Sequence, residues 1–252
     1  MTIFALTVGR NEEHRYLESF LRNVNGWADE HFFFDDNSTD ETPQVAGRWV
    51  SGFAFRQAHP DIPPMVVDEG LFRGGAWRVF EDYMQPQEGD WVFSIDCDQM
   101  LTSIDGQSVR KSLRSVLGWI TTEVAELKIA EVFGYAQDDV PMIRTDRLWG
   151  QIYTPCLFRY HRGGVFRTGR IAPGQPTYVW RTPWTRISLL FVMHFGYADP
   201  ADWMVKYQRY TTEMVMTEPG GHASAHVQSI ISPDKILERW PYPISDALVR
   251  KG

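Results

Sequence analysis

Within its first hundred residues the chain alternates between short apolar runs and helical patterns. Residues 3–8, 31–34, 53–56 and 91–95 have the length and the aromatic and β-branched content of buried strands. Between the first two, Tyr16, Leu17, Phe20, Leu21 and Val24 recur at helical spacing, and Gly26 is a natural stop. Asn11 is the expected N-cap there, with Glu12 and Glu13 favouring the positive end of the helix dipole. Ser38 and Glu41, three apart, match a capping box for a second helix. Residues 71–84 give a third helical pattern that carries Arg73 and Arg78. An order β-α-β-α-β-α-β implies a parallel, Rossmann-like α/β sheet. No Gly-x-Gly-x-x-Gly follows the first strand and no P-loop pattern occurs, which disfavours ordinary dinucleotide binding and P-loop hydrolysis.

Two of these strands end in paired acids. The second runs into Asp35-Asp36, and the fourth into Asp96-Cys97-Asp98. In an open α/β sheet ligands bind beyond the carboxyl ends of the strands. Two acids at i and i+2 can reach one hard cation, and Mg²⁺ or Mn²⁺ takes oxygen ligands. The plainer reading of Asp96 and Asp98 is a polar turn closing a strand. Alternation points Cys97 the other way, into packing.

The second half reads differently. A helix is expected over 108–119, and strands over 124–133, 152–160, 165–167, 178–180 and 187–195, with His194 near the end of the last. Residues 134–151 are polar and irregular, a candidate lid or binding loop. An amphipathic helix is expected over 199–216. A net charge of −7 argues against a general nucleic-acid binder, which would carry a basic stripe. Cys97 and Cys156 offer neither a disulfide framework nor zinc spacing. No apolar run approaches a membrane span, and the first residues lack the charged start of a signal peptide, so a cytoplasmic protein is expected. Ten tryptophans suggest aromatic platforms as well as core.

Three ordered motifs carry a resemblance. Arg10-Asn11-Glu12 follows the first strand, Asp35-Asp36-Asn37-Ser38-Thr39-Asp40-Glu41-Thr42 follows the second, and Gly89-Asp90-Trp91 leads through to Asp98. Together they resemble the family 2 type of GT-A-fold glycosyltransferases. His194-Phe195-Gly196-Tyr197, followed by Lys206-Tyr207, looks like small bacterial and phage-encoded members. The resemblance implies one GT-A domain over 1–252, a mixed, mainly parallel sheet flanked by helices. Residues 1–100 would form the nucleotide-sugar half and 101–252 the acceptor half. It implies a metal-dependent hexosyltransferase-type enzyme that moves a sugar from a nucleoside-diphosphate sugar, UDP favoured, to a hydroxyl. Val8, Arg10, Asn11 and Glu12 would line the base and ribose pocket. Asp36 would meet the base, Arg73 the diphosphate, and Asp96 the ribose or the metal. Mn²⁺ or Mg²⁺ would be held by Asp96, Asp98 and His194, with Gln99 in reach. The acceptor, whether protein, glycan or lipid-linked sugar, is not specified.

An inverting enzyme of this type needs a base for the acceptor hydroxyl. Asp146 is the first candidate, sharing a loop with Trp149; Asp139 and Asp138 follow, then Glu131. Two other classes compete. Haloacid-dehalogenase-type phosphohydrolases also use a strand ending in Asp-x-Asp, but near the N-terminus and with Thr or Val where Met100 stands. A non-catalytic nucleotide-sugar or carbohydrate-binding protein would have lost part of the set Asp36, Asp96, Asp98 and His194, which is intact here.

Overall fold

The computed structural model describes residues 1–104, 107–146, 152–169, 174–208, 211, 230–231 and 235–242. Its elements are β1 (Ile3–Gly9), α1 (Leu17–Asn25), β2 (Glu30–Asp35), α2 (Thr42–Ala46), β3 (Gly52–Phe55), α3 (Glu69–Met84), β4 (Trp91–Ser94) and β5 (Gln99–Ser103). They continue with α4 (Val109–Trp119), β6 (Val124–Tyr135), β7 (Pro141–Arg144), β8 (Tyr153–Arg159), β9 (Trp184–His194), α5 (Pro200–Gln208) and β10 (Leu237–Arg239).

The strands form one sheet in the order β10-β7-β6-β8-β4-β1-β2-β3, with β9 joined to β6 and β5. The first four strands pair in parallel. Beyond β4 the pairing turns antiparallel through β8, β6, β7 and β10, while β9 runs parallel to β6 and antiparallel to β5. The expected α/β architecture, a mixed sheet of parallel strands flanked by helices, is therefore what the chain adopts.

Period-two alternation sorts the parallel strands between two cores. Ile3, Ala5, Phe33, Trp91 and Phe93 pack on one face against Leu17, Phe20, Leu21, Leu113 and Leu117 of α1 and α4. Phe4, Leu6, Phe32, Phe34 and Val92 pack on the other against Phe72, Ala76, Trp77 and Phe80 of α3. Strands buried on both faces are mostly apolar, which is why these runs read as near-continuous hydrophobic segments, with Thr7 and His31 satisfying each other inside.

Several local expectations are corrected. Asn11 does not cap α1; the helix starts at Leu17, and Asn11 adopts a left-handed φ of 55°. Ser38 and Glu41 form no capping box, because α2 begins only at Thr42 and Ser38 bonds Asp35 instead. The irregular stretch after β6 contains β7, which folds back on β6 as a hairpin. Residues 165–167 are not a strand, and Val179–Arg181 is a turn of 3₁₀ helix. The described part of the last long helix ends at Gln208. The short β5, unforeseen, pairs Gln99 with His194. Among the described residues no helix is long and apolar enough to cross a membrane.

Candidate active site

The loops after β1 and β2 hold each other. The backbone N–H of Asn11 donates to Ser38 Oγ at 2.9 Å, and Asn11 Oδ1 accepts from the N–H of Thr39 at 2.8 Å. Ser38 in turn donates to Asp35, whose carboxylate is fully buried. Thr42 Oγ1 accepts from the N–H groups of Glu12 and Glu13, and Glu13 accepts from the N–H of Glu41. Much of the Asp-Asp-x-Ser-x-Asp-x-Thr pattern thus builds a clamp that fixes the turn after β1.

Asp36 is placed differently from the base contact expected of it. It is only 1% exposed, and its carboxylate accepts from Arg56 Nε at 2.5 Å and from the N–H of Met65 at 3.2 Å. Any base N–H would have to share these oxygens. Val8 is buried in the α3-side core, Arg10 is exposed, and Glu12 pairs with Arg15 at 3.0 Å. Burial raises Glu12 to about 7; Arg15 opposes this and Asp98 adds to it.

The Asp96-Cys97-Asp98 stretch is the turn between β4 and β5, closed by the N–H of Gln99 donating to the carbonyl of Asp96 at 2.9 Å. The plainer reading, a polar turn closing the strand, is what the chain shows here, and this turn carries both acids. Cys97 is buried in the core, as alternation requires. Asp96 is 41% exposed and accepts from Arg73 Nη2 at 3.1 Å, while Arg73 Nε bonds Glu69. Gln99 turns its Oε1 to the N–H of Asp96, at 3.3 Å.

Asp98 faces inward. Its Oδ2 lies 3.3 Å from His194 Nε2 and 3.1 Å from Lys206 Nζ, and its carbonyl accepts from the N–H of Phe195. His194 Nδ1 lies 2.6 Å from Glu131 Oε2. Burial would raise Asp98, but Lys206 and His194 outweigh it and hold the carboxyl well below its usual range. Burial would lower His194, but Glu131 and Asp98 outweigh it and lift the ring to about 10. Glu131 is buried and committed to His194, so it is not open to an acceptor hydroxyl.

Gly196 keeps this corner open. A Cβ built there would stand 2.6 Å from Asp98 Oδ2, 2.7 Å from His194 Nε2 and 1.9 Å from Lys206 Nζ. One small space is therefore shared by a carboxylate oxygen, an imidazole nitrogen and an ammonium. The donor types suit Mn²⁺, and the ammonium is a stand-in for a cation. A carboxylate behind the imidazole is the arrangement that orients metal-binding histidines. The expected three-ligand set is not gathered. Asp96 faces Arg73, and among the described residues no group of three or more His, Cys, Asp or Glu is assembled around one point.

Of the two expected bases, Asp139 lies on the β6–β7 turn and lines a cavity of about 660 Å³ with Glu13, Arg15, Tyr16, Tyr135 and Asp202. Arg15 links this cavity to the acids, bonding Asp202 at 3.3 Å and Glu12 at 3.0 Å. Asp146 is bound to Arg144 at 2.6 Å, and Arg144 lies over the Phe133 ring. Phe133 stacks on Tyr197, which meets His194 edge-on, so two rings separate Asp146 and Arg144 from His194. Trp149 lies outside the described residues, and Asp138 pairs with Arg239 on the surface. Sequence reasoning gave Lys206 no chemistry and overlooked Arg15 and Arg56. A lysine one helix beyond a late histidine is a weak signal, because its target is 108 residues away.

No family model matches the chain. It is 27% identical over 144 residues to uncharacterized proteins of Mycobacterium tuberculosis and Mycobacterium bovis, matching 56% of its own length. It spans about a third of the length of these curated relatives, 32%. Among solved structures it is similar to glucosyl-3-phosphoglycerate synthase from Mycobacterium tuberculosis in complex with Mn²⁺, UDP and glucosyl-3-phosphoglycerate. That match has 25% identity and a TM-score of 0.34, covering 52% of this chain and 44% of the other. It is also similar to mannosyl-3-phosphoglycerate synthase from Rubrobacter xylanophilus, at 19% identity and a TM-score of 0.36, covering 55% and 42%.

Proposed function

We propose that the chain is a nucleotide-sugar-dependent glycosyltransferase acting on a hydroxyl acceptor, with UDP-sugars as the first donors to test. The observation that carries this reading is the largely enclosed Asp98–His194 pair, which meets beside Gly196 near the ends of β1 and β4. Residues 1–100 form the donor half of a single domain and 101–252 the acceptor half. Asn11 and Glu12 fix the turn above β1, where base and ribose would rest. Arg73, buried between Glu69 and Asp96, is the charged group nearest the exposed acid and the natural partner for a diphosphate. Asp98 and His194 would hold a divalent cation, with Asp96 able to join by releasing Arg73. When bound, Mn²⁺ or Mg²⁺ supplies Lewis-acid stabilisation to the departing nucleoside diphosphate. For an inverting transfer Asp139 is the better-placed base, because it lines the cavity beside Arg15 while Asp146 is spent on Arg144.

The test is a thermal-shift panel of nucleotide sugars with and without Mn²⁺. A bound donor at a hundred times its Kd adds about 2.7 kcal/mol of stability. A Mn²⁺-dependent rise with one nucleotide class is expected. No rise with any nucleoside diphosphate sugar would sink the reading.

A further inference from the structure

The strongest unused feature is the ammonium inside the acid corner. Lys206 comes from α5, yet its Nζ reaches Asp98 Oδ2 at 3.1 Å and rests 4.5 Å from the centre of the Tyr197 ring. Only 16% of its side chain is exposed. It stands within 1.9 Å of the point that is itself 2.6 Å from Asp98 Oδ2 and 2.7 Å from His194 Nε2. The space in which Asp98 and His194 can share a ligand is thus the space the ammonium fills. Asp98 thus contacts both His194 and Lys206, and Glu131 backs the His194 ring.

We propose that Lys206 is a tethered cation that occupies the seat of the divalent metal in the metal-free state, and that metal entry requires it to withdraw. This rests on the metal role given above to Asp98 and His194. A lysine suits such a part, since its ammonium is a compact point charge on a flexible stem. Together with His194 it compensates the largely enclosed Asp98 carboxylate when no metal is present. It also competes with the metal, so Lys206 sets how tightly the cation binds. Withdrawal needs no movement of the sheet, because the seat is lined by Asp98 on the β4–β5 turn and by His194, whose ring is fixed by Glu131.

The test is calorimetric titration of Mn²⁺ alone into the full chain and into Lys206→Met, each checked for a cooperative melt. The variant is expected to bind Mn²⁺ at least tenfold more tightly. Equal or weaker binding in the variant overturns the proposal, as does an absence of Mn²⁺ binding in both proteins. Should Lys206→Met fail to fold, the wild-type chain decides alone. Amine acetylation at Lys206, measured by mass spectrometry against Lys111, is expected to rise severalfold on adding Mn²⁺; unchanged or reduced labelling overturns the proposal. The wider reading fails separately, by a lack of UDP binding to Mn²⁺-loaded protein.

Discussion

Two histidines mark the two halves of the sheet, and their surroundings shift them in opposite directions. His31 on β2 sits among rings in the parallel half. Its Nε2 meets Thr7 Oγ1 at 3.0 Å, its Nδ1 has no hydrogen-bond partner, and Phe20 lies edge-on to it. Burial alone pushes it down to about 3, so it is neutral. His194, on β9 in the other half, keeps 16% of its side chain exposed, and Glu131 and Asp98 flank it and lift it to about 10. The same side chain is a polar filler in one place and a charged member of a network in the other. The difference lies in the neighbouring carboxylates, because desolvation and opposite charge shift a pKa in contrary directions. Within the parallel strands His31 meets only rings and a hydroxyl; at the end of β9 His194 meets two carboxylates.

Glycine substitutions break this contrast most sharply. Gly196→Ala places a methyl where Asp98, His194 and Lys206 meet and must displace them, so it is expected to lower Mn²⁺-dependent nucleotide affinity at least a hundredfold in the protein that still folds. Gly9→Ala at the end of β1 drives a methyl to 2.8 Å from both Cys97 Sγ and Phe33 Cζ. That change is expected to cost about 1–3 kcal/mol of stability by overpacking, with the metal site intact. Calorimetry and denaturant melts on both variants separate the two outcomes. A Gly196→Ala protein that binds Mn²⁺ and UDP like wild type would place the cation elsewhere.

Next in size is Asp36→Asn, which leaves Arg56 without its charged partner. A loss of about 3 kcal/mol is expected, as for a broken buried pair, read by urea denaturation. Stability unchanged within error would mean that the Arg56 contact is not formed in solution.

The histidines give opposite pH dependences. His31 has a folded pKa below its ordinary 6.5, so its contribution is full above 6.5 and is lost as pH falls toward about 3. His194 has a folded pKa above 6.5, so its contribution is full below 6.5 and is lost as pH rises through about 10. Each slope approaches about 1.4 kcal/mol per pH unit for one proton. His31→Phe is therefore expected to flatten the acid side of a metal-free stability profile, and His194→Gln the alkaline side. Profiles that shift on the same side in both variants would erase the contrast. The smallest effect concerns the candidate bases. Asp139→Asn is expected to lower transfer to acceptor at least tenfold, and Asp146→Asn less than threefold; the reverse order would return the acceptor to the β7 side.

The parallel half was legible because its central strands are buried on both faces and so are mostly apolar. Alternating residues such as Phe32 and Phe33 then divide between opposite cores. The acids at Asp96 and Asp98 were legible because strand ends expose them. What the local pattern hid were contacts made across the chain. Ser38 looks like a helix cap until Asp35 is found three residues before it and Asn11 across from it. Asp36 looks like a ligand-facing acid until Arg56 folds back on it. β5 follows directly on the acidic turn and mixes Gln99, Thr102 and Ser103 with Met100 and Leu101, so no apolar run marks it, yet its pairing with β9 is what sets His194 beside Asp98. Lys206 shows no sign of its role until α5 is laid over that corner.

The central claim is that Asp98 and His194 form the cation end of a nucleoside-diphosphate site. Its most direct measurement is calorimetric titration of UDP, with and without Mn²⁺, into the wild-type chain and Asp98→Ala. Mn²⁺ is expected to strengthen UDP binding at least tenfold in the wild type and not at all in Asp98→Ala. UDP binding that ignores Mn²⁺, or a Mn²⁺ effect that survives the loss of Asp98, would contradict it.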